Sequence, residues 1–170
     1  VSAHGNPIDH DDPDRLAVYA AEQEALPDGG RRFHRFADVE AFVRFAMAEA
    51  WWEEQFPEAP VYAELHRRSR SATYSAAHVT DDGWDAVIWI RDGSWDAVTV
   101  VHELAHVAAG SYRSPHRWSI EPGHGRRFVD ALCRLWRRHL GVQAYGALRL
   151  ALAERGVILD HHGAGSGVRE

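Results

Sequence analysis

Trp95-Asp-Ala-Val-Thr-Val-Val-His102-Glu103-Leu-Ala-His106-Val-Ala-Ala-Gly110 reads as one uninterrupted helix. Ser94 is placed to serve as N-cap, Asp96 falls in the first turn at the positive end of the dipole, and Gly110 can take the left-handed C′ position. Inside it lies H-E-x-x-H. Residues four apart stack on one helix face, so the imidazoles of His102 and His106 can reach a single zinc ion. Glu103, one helical step round, can take a proton from a water at the metal's open position without itself ligating. In a chain with 12 histidines the pattern alone is weak. Its apolar flanks (Val98, Val100, Val101, Leu104, Val107) strengthen it, because two histidines and a glutamate are costly to bury without a ligand.

The 170 residues suffice for one domain with a real core, and an apolar fraction of 45% is that of a globular protein. A net charge of -6 argues against a nucleic-acid partner, since phosphate binding wants a basic excess. All 19 basic residues are arginine. The single cysteine, Cys133, excludes a disulfide framework and a cysteine-based zinc ribbon, and it reads as a buried thiol on the apolar side of a helix. No apolar run of membrane-spanning length and no signal-type opening occurs, so the expectation is a cytoplasmic protein without membrane contact. Oligomeric state is left open.

Outward from the helix, residues 1–14 read as a flexible arm, 15–159 as the domain and 160–170 as a flexible tail. His4, His10, His161 and His162 are expected to be solvated tail residues. Leu16 to Leu26 is a strand or a short helix, ended by Pro27-Asp-Gly-Gly30. A helix capped by Asp38 should run to Phe56, with Val39, Phe42, Val43, Ala46, Ala50 and Trp51 facing a core. Three strands follow, over 61–68, 72–79 and 84–91. The Asp82-Gly83 turn joins the last two as a hairpin. The third, Trp84-Asp-Ala-Val-Ile-Trp-Ile-Arg91, is expected at a sheet edge where an extended peptide could pair. Two helices close the domain. The first runs over 125–140 with Phe128, Leu132, Leu135 and Trp136 inward. The second runs over 142–155 with Val142, Tyr145, Leu148 and Leu152 inward.

A catalytic zinc takes three protein ligands and keeps one position open, so a third donor is required. A continuation H-x-x-G-x-x-H would need glycine and histidine where Ala109 and Tyr112 stand, and Glu121 lies on no evident helix. His124 is the preferred ligand: it opens a helix that Phe128 can anchor beneath the site, and Gly123 and Gly125 allow close backbone approach. His116 is the runner-up. Tyr112, Arg113 and His116 are the candidates for stabilising an oxyanion. Asp130 could orient an imidazole but reads more simply as a solvated helix residue.

His102-Glu-Leu-Ala-His106 followed by His124-Gly-Arg-Arg-Phe128 resembles the SprT-like or Spartan-type zincins, whose pattern is HExxH and then HGxxF. With Val18-Tyr-Ala-Ala-Glu22 added, the chain is similar to a small family of bacterial metallohydrolases of comparable length. The resemblance implies one zinc ion on His102, His106 and His124 with Glu103 as general base. It implies an α+β, zincin-like minimal metalloprotease fold, a small antiparallel-containing sheet packed on helices with HExxH on the central one. The DNA-linked activity of Spartan proteins does not carry over to a chain with no cysteine cluster and a negative charge. The expected function is a zinc metallopeptidase acting on a peptide or protein substrate. The alternatives are a non-catalytic zinc-stabilised module and a toxin-type or partner-binding protein using the third strand.

Overall fold

The computed structural model describes residues 12–80, 83–110 and 123–157. Among them the protein is mixed α+β, with helices α1 (Arg15–Ala25), α2 (Phe36–Ala48), α3 (Ala50–Gln55), α4 (Ala97–Gly110), α5 (Arg126–His139) and α6 (Val142–Glu154). Strands β1 (Ala63–Arg68), β2 (Ala76–Val79) and β3 (Ala86–Arg91) form one sheet in the order β1-β3-β2.

The hairpin expected around Gly83 is present: β2 and β3 pair antiparallel with Val79 opposite Ala86. β1 lies parallel to β3 on the other side, with Leu65 opposite Ile88. β3 is therefore the central strand, which corrects its reading as an edge. Its alternation explains the placement. Ala86, Ile88 and Ile90 are buried, and the intervening residues are half-buried. β1 and β2 are the edges instead.

α4 carries buried residues all round, from Ala97 and Val100 to Leu104, Val107 and Ala108, so it occupies the middle of the molecule. α5 covers one side of it and β2 the other, while α1 packs on α6. Each buried Val or Leu on such a helix contributes roughly 1.5–3 kcal/mol relative to exposure.

The start of α4 is secured by the loop that follows α1. Arg31 and Gly29 accept hydrogen bonds from the Ala97 and Val98 N–H groups at 2.9 and 3.2 Å. Asp96 Oδ1 accepts from the Thr99 N–H at 2.9 Å. Asp96 is thus the capping side chain in place of Ser94, because it stands immediately before the first helical residue and its carboxylate reaches the first-turn donors. Gly29 has φ +73°, and a Cβ there would come 3.0 Å from Asp96 Cγ, so the turn needs glycine for both conformation and space. Gly110 does not end α4 in a left-handed cap. It stays helical, and its missing side chain admits Val79 of β2, whose Cγ2 would lie 3.1 Å from a Cβ.

Residues 16–26, left open between strand and short helix, form the helix α1. Two further expectations are corrected. The segment 38–56 is two helices beginning at Phe36, broken at Glu49, whose ψ of 138° is extended while its carboxylate accepts from Arg138 Nε at 3.1 Å. The break turns Trp52 fully inward, where its indole N–H donates to the Pro60 carbonyl at 2.9 Å, and leaves Ala50 exposed. In α6, Leu148 and Leu152 are buried as expected, but Val142, the first residue of the helix, is 69% exposed. The stripe on α5 is as read: Phe128, Leu132, Leu135 and Trp136 are all buried. Among the described residues no helix is long and apolar enough to cross a membrane.

Candidate metal centre

α4 places His102, Glu103 and His106 on its middle turns, and the Gly123-His-Gly125 turn delivers His124 at the entry to α5. The ligand atoms of His102, His106 and His124 all lie within 4.8 Å of one another, so these three histidines can hold a metal ion. Their ring centroids are 4.8 to 5.2 Å apart. Phe128 forms the floor, with its ring 5.0, 4.3 and 4.7 Å from those of His102, His106 and His124. The anchoring role expected of Phe128 is therefore met one turn into α5.

Two carboxylates hold the outer nitrogens. His102 Nδ1 donates to Glu22 Oε2 at 2.9 Å, and His124 Nδ1 donates to Asp12 Oδ2 at 2.6 Å. With the Nδ1 protons so engaged, the two neutral rings turn their Nε2 lone pairs toward each other, and these atoms are 3.2 Å apart. Lone pairs at that distance repel unless a cation lies between them. A shared proton would join two rings, whereas a metal ion engages all three. Around a tetrahedral ion with bonds of 2.0–2.1 Å, ligand nitrogens stand about 3.3 Å apart, close to the 3.2 Å of the His102–His124 pair. The donor set fits a metal ion that takes imidazole ligands.

The electrostatics follow from this packing. Burial and the neighbouring rings drive His106 well below its ordinary pKa and bring His124 down to about 4, keeping both neutral. For His102 burial also opposes charge, but the Glu22 carboxylate outweighs it and the pKa is raised. Burial pushes the Glu103 carboxyl up to about 7; a proton on His102 would oppose the rise, and Glu22 adds to it. Glu103 is 4% exposed, and its Oε2 has no hydrogen-bond partner among the described residues.

Glu103 and His102 form one end of a cleft of about 470 Å³. Its walls come from α1 (Arg15, Tyr19, Glu22), the 73–75 segment before β2, and the start of α4. Tyr19 stacks on His102, with ring centroids 4.9 Å apart and planes 13° from parallel. Burial, and then the charge of Glu103, hold its hydroxyl pKa up near 12.

Tyr19, Glu22 and Asp12 are not among the site residues expected from the sequence. The usable signal was Tyr19-x-x-Glu22, three apart and hence on one face of a helix. Asp12, in the stretch read as an arm, carries no such signal. It also accounts for Gly123, where a Cβ would come 3.3 Å from Asp12 Oδ2, so the glycine makes room for this carboxylate and not for α4. Asp130 pairs with Arg134 at 2.9 Å one turn along α5. Tyr112, Arg113, His116 and Glu121 lie outside the described residues. Comparison with family models, curated proteins and solved structures finds no match to this chain.

Proposed function

We propose that the protein is a zinc-dependent hydrolase of peptide bonds, of the SprT-like, zincin type. The observation that carries this reading is Glu103, a buried carboxyl with an unengaged oxygen, set beside three convergent imidazoles at the end of an open cleft. His102, His106 and His124 would hold the ion, leaving a fourth position for water or substrate. When bound, zinc supplies Lewis acidity at that position. Glu103 takes a proton from the attacking water and returns it to the leaving amine. Glu22 and Asp12 fix the tautomers and directions of two ligand rings, and Phe128 excludes water from beneath them. The zincin assignment is supported by an HExxH helix at the centre of the fold with the edge strand β2 packed along it.

A zinc-braced, non-catalytic module is the competing reading. It gives no use to the unengaged oxygen of Glu103, which is costly to bury for structure alone. The partner-binding reading relied on β3 as an edge, and β3 is paired on both sides.

The test compares wild type with Glu103→Gln after zinc loading, using a mixed peptide library read by mass spectrometry. The expected result is equal zinc content and a loss of cleavage of about 10²–10⁴-fold in the variant. Equal cleavage by both proteins, or no cleavage by fully zinc-loaded wild type, would reject the enzyme.

A further inference from the structure

The cleft beside Glu103 has an unusual charge arrangement. Arg15, Arg32 and Arg91 line it, and among the described residues none of them has a carboxylate partner. Arg32 and Arg91 meet only backbone carbonyls, those of Gly93 at 3.4 Å and Arg70 at 3.0 Å. Three of the cleft's four carboxylates are committed locally. Glu22 binds His102, Asp96 binds Thr99, and Asp28 accepts from the Gly30 N–H at 2.9 Å. Glu103 is the fourth.

Of these three arginines, Arg15 is the one linked to the metal centre, through Tyr19. Its guanidinium carbon lies 5.9 Å from the ring centroids of both Tyr19 and Tyr74, so two aromatic rings orient it at the cleft wall. Tyr19 in turn stacks on His102. A half-buried guanidinium fixed in this way, with its N–H fork unclaimed by any carboxylate, matches a planar, bidentate anion.

We propose that the cleft takes peptides bearing a carboxylate close to the scissile bond, and that Arg15 is the residue that recognises it, with Arg32 and Arg91 extending the positive wall. The inference rests on the peptidase reading and names its substrate class. The carboxylate belongs either to an Asp or Glu side chain or to the peptide's own C-terminus, and both present the same chemistry to the guanidinium.

The zinc-loaded full chain is tested on quenched peptides of one sequence carrying Glu, Gln or Lys beside the cleaved bond, each with a free or amidated terminus. The expected result is kcat/KM about tenfold or more higher for Glu over Gln, or for free over amidated ends, which also identifies the source of the carboxylate. Arg15→Gln should bring that ratio to within about twofold, and Arg15→Glu should turn the preference toward Lys. Zinc content and thermal melting of each variant separate loss of selectivity from loss of fold. A wild-type protein indifferent to charge, or an Arg15→Glu protein that keeps the acidic preference, overturns the inference. If the zinc-loaded protein cuts none of these peptides, the peptidase reading falls. Fluorescence anisotropy of the same peptides on Glu103→Gln then decides the charge preference by itself. Tighter binding of the carboxylate-bearing peptides by about tenfold upholds it, and equal binding rejects it.

Discussion

Removing the Glu22 carboxylate should loosen the metal without touching a ligand. Glu22 Oε2 accepts from His102 Nδ1 at 2.9 Å, and both side chains are about 5% exposed or less. In Glu22→Ala the Nδ1–H is left in the interior with no acceptor, a loss of about 1–3 kcal/mol. The ring also becomes free to rotate or to change tautomer, turning Nε2 away from His106 and His124. Removing such a support from a ligating imidazole lowers metal affinity by about 10–100-fold. At saturating metal that is a fall of about 1.4–2.7 kcal/mol in the stabilisation the ion confers. In a domain of this size each kcal/mol moves Tm by about 2–4 °C, so the gap between zinc-loaded and chelator-treated melting temperatures should shrink by roughly 3–10 °C. Glu22→Gln retains an acceptor oxygen and should fall between wild type and Glu22→Ala. The assay is competition with a chromophoric chelator at fixed pH, paired with melts with and without EDTA. Zinc affinity within twofold of wild type and an unchanged melting gap would refute the reasoning, since His102 would then not depend on Nδ1 for its orientation.

Two other expectations lie away from the ligands. Asp96→Ala removes the cap that Thr99 N–H donates to at 2.9 Å and should cost about 1 kcal/mol in urea unfolding, whereas Ser94→Ala should cost only a few tenths. Burial pushes the Cys133 thiol up to about 12, so its thiolate is scarce at pH 8. Cys133 is partly buried against the core, so reaction with a disulfide reagent should be about tenfold or more slower in the folded protein than after denaturation, and equal rates would contradict that placement.

The central helix was legible because its chemistry and its local signals agree. HExxH sets two imidazoles on one face, and the apolar residues around it require burial. The third ligand followed from a helix-opening histidine with Phe128 a turn later. The supporting carboxylates were hidden for a physical reason. Glu22 sits on the buried face of α1 beside Val18 and Ala21, where a charge interrupts the apolar stripe and leaves 16–26 undecided between strand and helix. Leu16, 81% exposed, confuses the same pattern from the other side. The break between α2 and α3 falls at Glu49, with neither proline nor glycine to announce it, and is set by packing. Strand order was equally out of reach, since alternation distinguishes faces, whereas the insertion of β3 between β1 and β2 depends on pairing distant in sequence.

X-ray absorption at the zinc edge of the stoichiometrically loaded protein tests the central claim most directly. The expected result is one zinc per chain with three imidazole nitrogens and one light oxygen at about 2.0–2.1 Å, and loss of that signal in His124→Ala. A protein that binds no stoichiometric zinc, or whose His124→Ala variant keeps the wild-type spectrum, would contradict it.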